Sequence, residues 1–172
     1  VEVQLEPGAW ARLDPSDHLQ INVKIEFDDH AIGTQTYNYK HKDGSFAAEL
    51  ANARTFCQLR DVELMQNAGL ALGGSLNNAI VVDDGKILND GGLRVEREFV
   101  RHKVLDCLGD LFLIGMPVKT KMTVERPGHA LSTKLVQALL GDSANYEIVR
   151  ADNEYDGSSS FAMPELAAAA MA

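Results

Sequence analysis

Cysteine is nearly absent from this chain of 172 residues, which carries only Cys57 and Cys107. Two thiols set among apolar neighbours are too few for a disulfide framework, and reduced thiols in a cytoplasmic protein are the plain reading. Long apolar runs are missing as well. No stretch approaches the roughly 20 residues that cross a bilayer, so no transmembrane segment is expected. Nor is there a basic n-region followed by an apolar h-region, so no signal peptide is expected. Positive charge is in deficit: the net charge is −9 at pH 7, and no basic run interrupts it. That balance argues against nucleic acid as a partner. No internal repeat is visible. What remains is ordinary for a folded domain, 45% hydrophobic and 24% charged. The length suffices for a real core in one domain, or in a domain with an insertion. The chain starts at Val1 and runs directly into a strand-like segment; processing, expression design or a missing upstream domain would each account for that start.

Leu19, Ile21, Val23, Ile25 and Phe27 alternate with polar residues, which predicts a half-buried strand with residues 36–39 as its partner. Asp43-Gly44 marks a turn, and Ser45 is placed to N-cap a short helix running to Ala53. A second short helix carries Leu59, Val62 and Leu64 and stops at Gly69. The texture then changes. Gly73-Gly74-Ser75 is a flexible turn, residues 79–82 are a compact β-rich run, and Asp83-Asp84-Gly85 turns the chain into residues 86–88. This reads as a small β-rich insertion over about 70–88. A long helix follows from about 96 to 113, then a strand at 118–124, a helix at 129–140 after Pro127-Gly128, and a last strand at 146–149. Residues 152–172 read as a flexible C-terminal tail. Strands and helices that do not alternate regularly predict an α+β fold. The expected architecture is a two-layer sheet-and-helix domain over 1–151 with a βαβ-like insertion.

The long helix holds the candidate chemistry. From Glu98 to Asp110 it reads as apolar almost all round, through Phe99, Val100, Val104, Leu105, Leu108, Leu111 and Phe112, with one polar stripe of His102, Asp106 and Asp110. At about 3.6 residues per turn these three stack on one face, neighbouring Cβ atoms roughly 5–6 Å apart. An unpaired buried charge is costly, so such a row needs a match. A divalent metal is one, because an imidazole and a carboxylate at this spacing can both reach one ion. Taken alone, however, His-x-x-x-Asp on a helix is more often a surface ion pair or a satisfied histidine. The set is also incomplete, since catalytic zinc takes three protein ligands and an open position.

Other motifs read more blandly. The glycines from Gly69 to Gly74 lack the Gly-Lys-Ser/Thr ending of a phosphate loop and read as a turn. Cys57 beside Phe56 reads as a small core residue rather than a nucleophile. Asp29-His30 reads as turn chemistry, and His18 and His41 carry no pattern. His129 is a stronger candidate. It opens a helix, where the dipole disfavours an imidazolium. A nearby carboxylate such as Asp110 would counter this and hold the ring charged as a general acid. The alternative is a histidine in an exposed first turn.

Ala53-Arg-Thr-Phe56, Leu72-Gly-Gly-Ser75, Leu93-Arg94, Phe99-Val-Arg-His-Lys103, Asp106, Gly109-Asp-Leu111 and Gly128-His-Ala-Leu131 occur in that order. Together they resemble the C-terminal half of the UDP-3-O-acyl-N-acetylglucosamine deacetylases, zinc hydrolases of lipid A biosynthesis in Gram-negative bacteria. The resemblance runs from Val1 to Val149. It implies Zn2+ as cofactor, with His102 and Asp106 as two of three zinc ligands. It further implies His129 as the catalytic histidine, Asp110 as the acid that orients it, and Thr55 as a hydroxyl near the oxyanion. Phe56 and Lys103 match substrate-contacting positions. The β-rich insertion would line a passage for the acyl chain with small and aliphatic walls from Ala71, Gly74, Ala79 and Val81, beside Leu59 and Val62.

In that family the general-base glutamate and the third ligand, an adjacent histidine, come from the N-terminal half. No Glu-His dipeptide occurs in these 172 residues. The resemblance therefore implies the second domain of a two-domain enzyme, with the N-terminal half and UDP-3-O-acyl-N-acetylglucosamine as partners, and little activity by itself. The competing expectation is a non-catalytic module that keeps the fold to bind an acyl chain or a partner. Retention of His102, Asp106, Asp110 and His129 together argues against it.

Overall fold

The computed structural model describes residues 1–69 and 72–149. In chain order its elements are β1 (Glu2–Glu6), β2 (Ala9–Pro15), β3 (Gln20–Glu26), β4 (Thr34–Lys40), a π-helical turn (Phe46–Leu50), β5 (Thr55–Gln58), α1 (Leu59–Asn67), β6 (Ala79–Asp83), β7 (Lys86–Ile87), α2 (Glu98–Leu111), β8 (Thr120–Glu125) and α3 (His129–Leu140). Single 3-10 turns follow at Phe112–Ile114 and Ser143–Asn145.

Five strands form one sheet in the order β1-β2-β8-β3-β4. Only the central pair, β3 with β8, is parallel; the other neighbours run antiparallel. The period-two alternation places Ile21, Val23 and Ile25 of β3 on the same buried face as Met122 and Val124 of β8 and Ala11 and Leu13 of β2. Against this face lie Phe99, Val100, Val104, Cys107, Leu108 and Leu111 of α2 and Leu131, Leu135 and Leu139 of α3, in one continuous core. Each large apolar side chain fully buried there contributes about 1.5–3 kcal/mol. The helices thus cover one side of the sheet, the two-layer α+β arrangement expected from the sequence.

A second sheet, β5-β6-β7, is smaller. β5 and β6 pair in parallel and are joined through α1, a βαβ unit, while β6 and β7 make a hairpin. Asp84 and Gly85 at its tip both have positive φ, +45° and +73°, the demand of a tight turn that matches strand twist. The small sheet begins at Thr55, so the segment 70–88 supplies two of its three strands and the residues before it supply the third. Ile80 and Val82 belong to the main core, and Phe56, paired with Ile80, packs edge-on to Phe99 at 5.1 Å.

Three local expectations are corrected. Ser45 does not cap a helix: its Oγ donates to Lys42 O, accepts from Lys42 N and meets the buried Tyr39 hydroxyl. With that oxygen engaged in the turn, only one π-helical turn follows. Residues 146–149 form no strand and are exposed. The long helix also ends at Leu111, not at about 113, and Phe112 and Leu113 lie exposed in the 3-10 turn that follows. The turn at Asp29 holds as expected, with Oδ1 accepting from Ala31 N and Oδ2 from Gly85 N, which ties it to the small sheet. Ala71 and the expected tail over 152–172 lie outside the described residues. No helix among the described residues is long and apolar enough to cross a membrane.

Candidate active site

The apolar seam of α2 faces the core, and that leaves the stripe of His102, Asp106 and Asp110 along one edge of the helix. His102 and Asp106 are mostly enclosed, and His102 Nε2 stands 3.3 Å from Asp106 Oδ1. The other ring nitrogen, Nδ1, lies 3.2 Å from the Ala53 carbonyl oxygen. A carbonyl only accepts, so Nδ1 carries the proton of that bond and Nε2 of the neutral ring presents its lone pair. A lone pair facing a carboxylate oxygen calls for positive charge between them, a proton or a metal ion. The second oxygen of Asp106 is held by Lys103 Nζ at 3.0 Å, and that ammonium also sits 5.6 Å above the Phe56 ring. Phe56 in turn stands edge-on to His102, centroids 6.4 Å apart. Among the described residues no three His, Cys, Asp or Glu side chains converge on one point.

Two turns along, Asp110 addresses a different partner. Its oxygens lie 3.0 and 3.1 Å from His129 Nδ1. His129 is the first residue of α3, set there by the extended Gly128, and its side chain is 71% exposed while Asp110 is largely enclosed. The ring is thus both an exposed first-turn histidine and the partner of Asp110; its Nε2 is left facing outward. Cys107, between the two acids, is buried, and that burial, seconded by the charges of Asp110 and Asp106, pushes its thiol up to about 12. It stays a neutral core residue. Burial and the nearby Asp61 also raise the Cys57 thiol, against its reading as a nucleophile.

Thr55 opens β5 and is exposed. By register it shares a face of the small sheet with Cys57, Ala79 and Val81, opposite the face that docks on Phe99. Val81 is buried, Ala79 half-buried, and α1, which carries half-buried Leu59 and Val62, packs on β5 and β6. Gly74 is exposed in the loop before β6. Phe56, His102, Lys103 and Asp106 are therefore brought together. Thr55, next to Phe56 in β5, lies on the opposite face with Ala79 and Val81, and Leu59 and Val62 sit on the adjoining helix.

Two features carry no role in the sequence reading. The first is an open cavity of about 420 Å³ whose lining includes Glu26, Phe27, Asp28, Arg60, Lys103 and Arg126. Lys103 joins it to the His102–Asp106 pair. Arg126 holds φ at +49°, a strained value for a residue with a side chain, and such strain gathers at functional positions. The signal available in the sequence was Arg126-Pro-Gly-His129, a positive charge fixed just ahead of the candidate histidine.

The second feature is Glu98, fully buried, with Arg54 almost so. Oε1 accepts from Arg54 N at 2.9 Å and Nε at 2.8 Å; Oε2 accepts from Arg54 Nη2 at 3.1 Å and Arg94 N at 2.6 Å. Burial works to raise the carboxyl's pKa, but the hydrogen bonds from Arg54 and from the two backbone amides outweigh it and hold it below its usual range.

The family model for LpxC, UDP-3-O-acyl N-acetylglycosamine deacetylase, matches residues 1–141. A UDP-3-O-acyl-N-acetylglucosamine deacetylase of an Anaeromyxobacter strain is 48% identical over 146 residues, covering 85% of this chain and 48% of the relative. The Myxococcus xanthus enzyme of that name is 50% identical over 141 residues, 82% of this chain and 45% of its own length. The one from Campylobacter fetus is 44% identical over 154 residues, 89% and 52% respectively. The chain thus spans about half the length of the curated relatives it matches. A match over this much of the chain, at this identity, shows that it belongs to the UDP-3-O-acyl-N-acetylglucosamine deacetylase family.

Proposed function

We propose that this chain supplies one side of a zinc-dependent active site that removes the N-acetyl group from UDP-3-O-acyl-N-acetylglucosamine in lipid A biosynthesis, in the cytoplasm. The observation that carries the reading is the His102 ring, whose Nδ1–H is bonded to Ala53 O so that Nε2 faces Asp106 at 3.3 Å. Tetrahedral zinc with donors at roughly 2.0–2.2 Å keeps them about 3.3–3.6 Å apart, so the pair fits two of its positions. A ligating histidine with its other nitrogen bonded to a carbonyl is also the usual arrangement around a metal. The chemistry that ion supplies is Lewis-acid polarisation of the amide carbonyl and acidification of water.

The remaining work falls to side chains of this chain. Asp110 pairs with the Nδ1–H of the charged His129 ring, and His129 delivers the proton on its Nε2 to the departing amine. The Thr55 hydroxyl, exposed at the head of β5, donates to the oxygen that gains negative charge. Lys103, between Asp106, Phe56 and the cavity, holds an anionic part of the substrate, and Arg60 and Arg126, which line that cavity together with Glu26 and Asp28, reach toward the diphosphate. Phe56 closes the apolar side of the site. Leu59, Val62, Ala79 and Val81, with Gly74 and Ala71, line the path of the acyl chain. The third metal donor and the general base come, in this reading, from the N-terminal half of the enzyme.

The test is reconstitution. The chain alone, and the chain fused to the N-terminal half of the Myxococcus xanthus relative, are assayed for acetate release from UDP-3-O-acyl-N-acetylglucosamine with zinc present. Negligible release alone and strong release from the fusion are expected. A fusion that folds and binds the substrate but releases no acetate would favour a non-catalytic binding module.

A further inference from the structure

The buried pair of Arg54 and Glu98 lies one helical turn before His102, and both residues reach the same peptide group. The N–H of Arg54 donates to Glu98 Oε1 at 2.9 Å. The carbonyl of that same peptide, Ala53 O, accepts from His102 Nδ1 at 3.2 Å. One rigid peptide plane is therefore gripped at both ends by side chains at i and i+4 of α2. Its orientation is fixed further by the Arg54 guanidinium, which bonds to both oxygens of Glu98 and to Gly92 O at 2.8 Å. The turn that delivers Glu98 inward depends on Arg97, held at φ +55°. That is an uncommon conformation for a residue with a side chain.

We propose that Glu98 and Arg54 are positioning residues for His102. They hold the Ala53–Arg54 peptide so that its carbonyl selects the Nδ1–H form of the ring and aims the Nε2 lone pair at Asp106. The same plane leads directly into Thr55, so one clamp sets the histidine and the start of β5 together. A peptide free to tilt would turn its carbonyl away, and the ring would then be free to carry its proton on Nε2. That form offers no lone pair on the side of Asp106. The significance for metal binding rests on the zinc reading above; the clamp itself does not.

The test reads the ring without metal. The full chain is labelled with 15N-histidine, freed of metal and examined by long-range 1H–15N correlation at a pH where the imidazoles are neutral. In the wild type His102 is expected as the Nδ1–H form, the fixed Ala53 carbonyl outcompeting Asp106 Oδ1 for the single ring proton. Two variants separate the clamp from the charge. Arg54→Met with Glu98→Leu replaces the ion pair by apolar side chains, an exchange that proteins often tolerate, and leaves the peptide N–H without its acceptor. His102 should then exchange between its two forms, and zinc affinity should fall about 10–100-fold. Glu98→Gln keeps one oxygen for the Arg54 N–H and should retain the Nδ1–H form. The His129 ring, held by Asp110, should be unchanged in both. The two variants behaving alike at His102, both locked or both exchanging, would overturn the proposal. If the double variant does not fold, the wild-type ring decides: a locked Nδ1–H form upholds the clamp, and an exchanging ring overturns it. Zinc affinity that does not change in His102→Ala removes the metal reading and leaves the clamp standing, so the two can fail separately.

Discussion

The two ends of α2 treat their carboxylates in opposite ways. At the start, Glu98 is wholly enclosed and accepts four hydrogen bonds, three from Arg54 and one from Arg94 N. At the other end, Asp110 turns both oxygens to one nitrogen of a histidine that is 71% exposed. A charge inside the core costs several kcal/mol unless every lone pair is met, so the first end is suited to holding parts still. The second end leaves an outward imidazole nitrogen, which suits proton transfer to something that arrives from solution. His102 and Asp106 lie between, enclosed enough to be ordered and yet facing each other across a gap that needs positive charge. Along roughly three helical turns the carboxylates pass from a buried partner, Arg54, to one open to solvent, His129, and chemical freedom rises.

That gradient can be broken from either end. The largest effect belongs to Glu98→Ala, which strands the buried guanidinium of Arg54 and should cost on the order of 3–5 kcal/mol in denaturant unfolding. Next comes acid. The Glu98 carboxyl is held below its ordinary value of 4.5, so the folded state binds this proton less readily than the unfolded chain. Its contribution is complete above that value and is lost as pH falls through the depressed folded pKa. Unfolding measured down the acid limb should therefore show a shallower decline in the Arg54→Met, Glu98→Leu double variant than in the wild type. At the other end, where the partner His129 is 71% exposed, Asp110→Asn should change stability by less than about 1 kcal/mol, the scale of pairs open to solvent. In the reconstituted enzyme its mark should instead be kinetic, a loss of about 10²–10⁴ in turnover. Smallest in stability is His129→Ala, within about 0.5 kcal/mol of wild type by the same unfolding measurement. A His129→Ala that costs as much as Glu98→Ala would erase the distinction between the two ends.

The parts legible in the sequence were those with local periodicity. β3 showed itself through Ile21, Val23 and Ile25, and the stripe of His102, Asp106 and Asp110 through its spacing of four. The family motifs added Thr55 and Phe56, which no period could mark. Features assembled from distant segments stayed hidden. Arg54 and Glu98 are 44 residues apart, and a glutamate at a helix start reads as an ordinary first-turn acid. The cavity draws Phe27 from the end of β3, Arg60 from α1, Lys103 from α2 and Arg126 from the turn before α3. β5 is four residues long, too short for alternation to register. Residues 146–149 carried an apolar pattern, and the sheet has open edges at β1 and β4, yet pairing also needs the segment to be carried alongside one of them, which no local pattern records.

Zinc binding to the metal-free chain tests the central claim most directly. Equilibrium titrations compare the wild type with His102→Ala, Asp106→Ala and His129→Ala, each first shown to be folded. The account predicts a sharp fall in affinity for the first two substitutions and wild-type affinity for His129→Ala. Equal affinity across all four proteins, or a loss confined to His129→Ala, would contradict it.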